Sequence, residues 1–181
     1  ALLGTAALLS IVIGIPLGIY CSTRPRFYAF IRPIMDFMQT MPAFVFMIPV
    51  IAFFGTGKVA AVIITMIFGG TPVVRLTVLG LKGVPQNIRE AAIAYGATKW
   101  YLLSKVDIPL AMPTILAGVN QTVMLSLAMV VVASLIGAKG LGQDVLEALQ
   151  YANVGQGILA GIAILFVALL LDRIVQGKKR V

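Results

Sequence analysis

The chain has 181 residues, 60% hydrophobic and 11% charged, against about 45–50% and about 25% in soluble domains. This excludes an ordinary water-soluble enzyme and points to an all-α integral membrane protein, with residues 1–181 forming one transmembrane domain. There is no histidine and one cysteine, Cys21, which removes the usual metal ligands, the commonest general base and any internal disulfide.

A spanning helix needs about 20 mostly apolar residues, and five stretches meet that need: residues 1–20, 32–54, 59–74, 109–136 and 154–171. The first lacks both an initiator Met and a basic leader, as expected of a chain that starts part-way into a longer protein rather than at a signal peptide. The connections hold nearly all the charge. Arg24, Arg26 and Arg32 follow the first span; Arg75, Lys82, Arg89, Lys99 and Lys105 follow the third; Arg173, Lys178, Lys179 and Arg180 follow the fifth. Only Lys58 and Lys139 fall on the other side. The net charge of +8 is therefore a topology signal rather than a nucleic-acid footprint, and the positive-inside rule puts the N-terminus outside and the C-terminus in the cytoplasm.

The second span carries Pro42 and Pro49, each of which removes a backbone hydrogen bond, so it is expected to be broken. Asp36, Gln39 and Thr40 share one face by their spacing. Asp36 is either a functional ionisable group in the membrane or the partner of Arg32 one turn earlier. Met35, Met38, Met41 and Met47 alternate with Phe37, Phe44 and Phe46. Such a stretch suits passage of a quaternary ammonium group over aromatic faces and adaptable thioethers, and equally suits helix packing.

Residues 75–108 are too polar for lipid and too long for a tight turn. Pro85 suits the first turn of a helix over 86–95, with Gly96 as its stop. Thr98 can cap a second helix over 99–106, ending before Pro109. Ala92 and Gly96 lie four apart, on one helical face where a partner could approach the backbone closely. Glu90 can meet a basic group of that partner or favour the helix N-terminus.

In the fourth span, Asn120, Gln121, Thr122 and Ser126 sit among aliphatic residues, with Met124 one turn from Asn120. Buried amides there either bond across a helix interface or line a wet cavity. A short amphipathic helix over 144–149 follows, able to cap the outer mouth, to touch a delivery protein or to lie on the membrane surface. Asp172 beside Arg173 reads as a helix-end pair.

The loop sequence EAAIAYGATKWYLLSKVDIP resembles the signature of ATP-binding-cassette importer permeases: EAA, three residues, Gly, nine residues, then I-x-L-P. Glu90, Ala91, Ala92, Gly96 and Pro109 match at that spacing, while Val106 and Ile108 replace the usual Ile and Leu with other aliphatic residues. The resemblance implies that residues 84–108 are a cytoplasmic coupling loop for an ATPase subunit. DFMQTMPAFVFMIPVIAFFGTG, GGTPVVRLT and PLAMPTILAGVNQTVMLSLAMVVVASLIGAKGLG are similar to permeases of the glycine betaine and proline betaine importers of bacteria. That likeness implies an inner-membrane subunit working by alternating access as a homodimer, with two ATP-binding subunits and an extracytoplasmic substrate-binding protein.

ATP and Mg would be used by the partner subunit, because this chain lacks the phosphate-cradling GxxxxGK[ST] loop. No cofactor or catalytic residue is expected in the chain itself. The candidate translocation path is Gln39, Thr40, Met41 and Pro42 on the second span with Asn120, Gln121 and Met124 on the fourth. The alternatives are an importer permease for choline, carnitine, methionine or a phosphonate, or, from another class, a gated channel or membrane-embedded enzyme. The absence of histidine, of paired carboxylates in a span and of a serine-base motif weighs against the enzyme, and the coupling signature weighs against the channel.

Overall fold

In a computed structural model, residues 2–176 are described, and these are almost entirely helical with no strand among them. The elements are α1 (Leu2–Thr23), α2 (Pro25–Thr40), α3 (Ala43–Phe54), α4 (Lys58–Lys82), α5 (Gln86–Ala94) and α6 (Lys99–Tyr101). A π-helical turn (Leu102–Asp107) leads into α7 (Ile108–Leu135), followed by α8 (Leu141–Gln150) and α9 (Val154–Gln176). Four helices are long and apolar enough to cross a membrane: Gly4–Thr23, Lys58–Lys82, Lys99–Leu135 and Val154–Ile174. The pair α2 and α3, bent by 104°, supplies a fifth, broken span. Lys178, Lys179 and Arg180 lie outside the described residues.

Small residues decide where the helices meet. A Cβ on Gly18 of α1 would fall 2.6 Å from Thr77 Cβ of α4, and one on Gly69 of α4 would fall 2.8 Å from Ser126 Oγ of α7. Ser10 lies beside Gly70 and Gly18 beside Thr77, so α1 and α4 run parallel; Gly80 lies beside Ala111 and Gly69 beside Ser126, so α4 and α7 run antiparallel. Two parallel spans in succession require a return crossing between them. The α2–α3 pair provides it, with Met35 against Val73 and Val74 in the second half of α4 and Val50 against Ala60, Ala61 and Ile64 near its start. One end of the bundle thus carries α5 and the other carries α8.

Several boundaries differ from the sequence expectation, each for a physical reason. The break in the second span falls at Met41–Pro42 and not at Pro49, which lies inside α3. The third span does not stop at residue 74: α4 continues through Arg75 to Lys82, because charges end a membrane run without ending a helix. Pro85 is the N-cap of α5 rather than a residue of its first turn. Nor does the helix from residue 99 end before Pro109. Pro109 cannot donate to the carbonyl four residues earlier and its ring would crowd that carbonyl. The widened π turn, in which the Ile108 N–H donates to Leu103 O, takes up the misfit and lets the helix run on. At 1.5 Å per residue, the 37 residues of Lys99–Leu135 reach about 55 Å, well beyond a hydrocarbon core of about 30 Å. Part of this helix therefore stands clear of lipid.

Candidate functional site: the α5 elbow and the polar positions of the spans

The elbow is built from local backbone chemistry. Gly96 has φ of +82°, the left-handed region that a Cβ disfavours. Its N–H donates to Ile93 O at 2.8 Å and the Ala97 N–H donates to Ala92 O at 3.0 Å, which closes α5 in a Schellman motif. Thr98 then starts the next helix, its Oγ1 accepting from the Tyr101 N–H at 3.3 Å. A Cβ on Gly96 would meet nothing within 4 Å, so within this chain the glycine is required by its dihedral angle rather than by crowding.

No residue of α5 is buried. Glu90 and Ala91 are exposed, and Glu90 accepts a hydrogen bond from Gln86 Nε2 at 2.9 Å. Ala92 is partly covered, so it does not share a fully open face with Gly96 as the spacing suggested. Beside these residues stand large exposed apolar side chains, Ile93, Tyr95 at 94% and Trp100 at 77% exposure. Pro109 lies at the start of α7, on the far side of the π turn from α5.

An ion-pair set that sequence reasoning missed holds the elbow in place. Arg89 Nε donates to Asp107 Oδ1 at 2.7 Å and Arg89 Nη2 donates to Leu81 O at 2.6 Å. The partners are eighteen and eight residues away in sequence, so no local periodicity reveals them. The one available signal is the rarity of acids, six in the chain, which makes each worth tracing to a base. Asp36 likewise pairs with more than the expected Arg32, which lies at 3.8 Å. Its Oδ1 also accepts from Arg75 Nη2, a residue assigned to the loop from sequence but sited inside α4.

The candidate path residues form two groups. Gln39, Thr40, Met41 and Pro42 surround the α2–α3 break, where Thr40 Oγ1 donates to Phe37 O at 2.9 Å and all but Met41 are exposed. Asn120, Gln121 and Met124 lie on α7, with Gln121 and Met124 exposed and Asn120 Oδ1 buried without a hydrogen-bond partner. No hydrogen bond among the described residues joins the groups; both are carried by helices that pack on α4. Thr122 and Thr77 each bury a hydroxyl oxygen without a partner, so the polar residues of the spans are only partly satisfied within one copy of the chain.

The family of binding-protein-dependent transport system inner membrane components matches residues 11–177. The chain belongs to this family. Over 99% of its length it is 48% identical to the glycine betaine/proline betaine transport system permease protein ProW of Escherichia coli, covering 51% of that protein. It is 49% identical, again over 99% of its length, to the glycine betaine transport system permease protein OpuAB of Bacillus subtilis, covering 64% of it. The chain thus spans about half the length of the first relative and less than two thirds of the second. The inward-facing MetNI methionine ABC transporter has the same fold, with a TM-score of 0.77 at 23% identity over 97% of this chain and 87% of that one. The all-α permease fold expected from the loop signature and the span count is therefore the fold of this chain.

Proposed function

We propose that this chain is the membrane core of the permease subunit of an ATP-driven importer for glycine betaine and proline betaine. The observation that carries this reading is the near-half identity across 99% of the chain to two betaine permeases from different bacteria. The α5 end, rich in Arg and Lys, would face the cytoplasm under the positive-inside rule, leaving α8 at the outer side to meet an extracytoplasmic binding protein. Two ATP-binding subunits would dock one on each α5 of a pair of permease copies and carry out the ATP and Mg chemistry.

Glu90, Ala91, Ala92 and Gly96, with the exposed Tyr95 and Trp100, supply the docking surface in this reading, and Pro109 marks where the elbow joins its span. The open positions on α7 and at the α2–α3 break would line the passage at the interface of the two copies. The exposed amide of Gln121 suits a path wetted by water. Weak, distributed contacts favour release over retention there.

The test is uptake of labelled glycine betaine at high osmolarity by cells lacking their own osmoprotectant importers, supplied with the full-length permease and its partner subunits. Uptake that depends on the ATP-binding subunit is expected. Entry of choline or carnitine in place of betaine would overturn the substrate assignment.

A further inference from the structure

Arg89 is the side chain through which the elbow is tied to the spans. α5 buries no residue of its own, and Arg89 and Ala92, three apart, are its two least exposed positions. The Arg89 side chain reaches Asp107 of the π turn, on which α5 packs. Leu81, on the other side of the guanidinium, lies in the last turn of α4 and is 2% exposed.

The chemistry explains why an arginine is needed. A helix leaves its last carbonyls without intrahelical donors. For Leu81 the donor four residues on would be residue 85, which is proline and has no N–H. Arg89 Nη2 supplies that missing donor at 2.6 Å, while Nε of the same group holds Asp107 at 2.7 Å. Asp107 is 7% exposed and ends the π turn just before α7. One planar, always charged group with donors in a fixed fork therefore bridges the end of α4, the elbow and the root of α7. Removing it would strand a buried carboxylate and a buried carbonyl together. α4 and α7 are themselves locked side by side, with Gly80 against Ala111 and Thr114, so a displacement of Arg89 acts on both spans at once.

We infer that Arg89 is a positioning residue that transmits the displacement of α5 by a docked ATP-binding subunit into α4 and α7, with Asp107 as its anchor. This rests on the docking role proposed for the elbow. Arg89 turns away from the docking face, so its loss should separate coupling from assembly. A residue that merely kept α5 folded would lose both together.

The experiment uses the full-length permease with its ATP-binding subunits and binding protein in proteoliposomes, comparing wild type, Arg89→Ala, Arg89→Lys and Asp107→Asn. Arg89→Ala should keep the ATP-binding subunit through purification and keep unstimulated hydrolysis. Its stimulation of hydrolysis by betaine-loaded binding protein, and its transport per ATP, should fall about tenfold or more, the scale of coupling between distant sites. Arg89→Lys keeps the charge but, as a point donor, cannot serve Asp107 and Leu81 O with the same fork, and should show an intermediate loss. Asp107→Asn keeps size and polarity and should fall in the same direction as Arg89→Ala even if the latter inserts poorly.

Transport in Arg89→Ala within about twofold of wild type would overturn the inference, as would loss of the ATP-binding subunit in proportion to loss of transport. A wild-type complex that retains no ATP-binding subunit would instead refute the docking role itself, and the inference with it.

Discussion

Along the crossings of α1, α4 and α7, small residues let helices touch. On α5, small residues leave a face uncovered. Gly18 and Gly69 sit where an added Cβ would strike the neighbouring helix, whereas one on Gly96 would meet only open space. The same residue type thus serves two ends in one chain, and the difference lies in what is already present beside it. The three-helix core is filled by its own side chains, including Val73, Val78, Thr77 and Leu81 at 2% exposure or less. The elbow is held by a helix cap, a Schellman motif and one arginine. A core of that kind moves as a unit, because packed interiors resist continuous deformation, and an elbow tied to both α4 and the π turn through Arg89 can pass a push to it.

The contrast can be broken first at the core. Gly18→Val should be the most damaging change, since overpacking at a helix crossing costs about 1–3 kcal/mol and at times more. Thermal unfolding of the detergent-purified full-length protein should show a clear drop, while Gly161→Ala, where a Cβ meets nothing within 4 Å, should leave the transition in place. Equal effects of the two changes would show that the α1–α4 crossing is looser than described.

Gly96→Ala comes next. It forces a Cβ into a left-handed conformation at a cost of about 1–2 kcal/mol, but the strain falls on the elbow. Hydrogen exchange should rise along residues 86–97 and stay unchanged in α4 and α7; exchange rising equally in the spans would mean that the elbow and core unfold together. The smallest stability effect is expected for Asp36→Ala. It removes the partner of Arg75, but both side chains are more than a third exposed, and pairs of that kind contribute about 1 kcal/mol or less. Faster exchange confined to α2 would mark the pair as a tether of the broken span, and unchanged exchange there would show that apolar packing around Met35 holds α2 without it.

The legible parts of the fold were those written locally. Run length gave five crossings, and Gly96 and Thr98 gave the end of one helix and the start of the next, because caps need particular side chains at particular offsets. The illegible parts depended on partners far away in sequence or on strain relieved elsewhere. Pro42 and Pro49 are equivalent in sequence, yet only the first breaks the span, as the N-cap of α3. Arg75 signals a loop until Asp36 is brought beside it by the return crossing. Pro109 signals a helix end until the π turn absorbs it. Glu90 drew attention as the acid of the motif, while Asp107, the acid that fixes the elbow's geometry, gave no local sign of its base.

The most direct test of the account is the affinity of the ATP-binding subunit for full-length permease carrying Glu90→Lys. Glu90 is exposed and, among the described residues, hydrogen-bonded to Gln86 alone, so its replacement should change stability by about 0.5 kcal/mol or less and leave membrane insertion intact. If the α5 face is where the partner docks, the variant should insert normally and bind the ATP-binding subunit markedly more weakly than wild type. Binding indistinguishable from wild type, with transport intact, would contradict the assignment of this face to the partner.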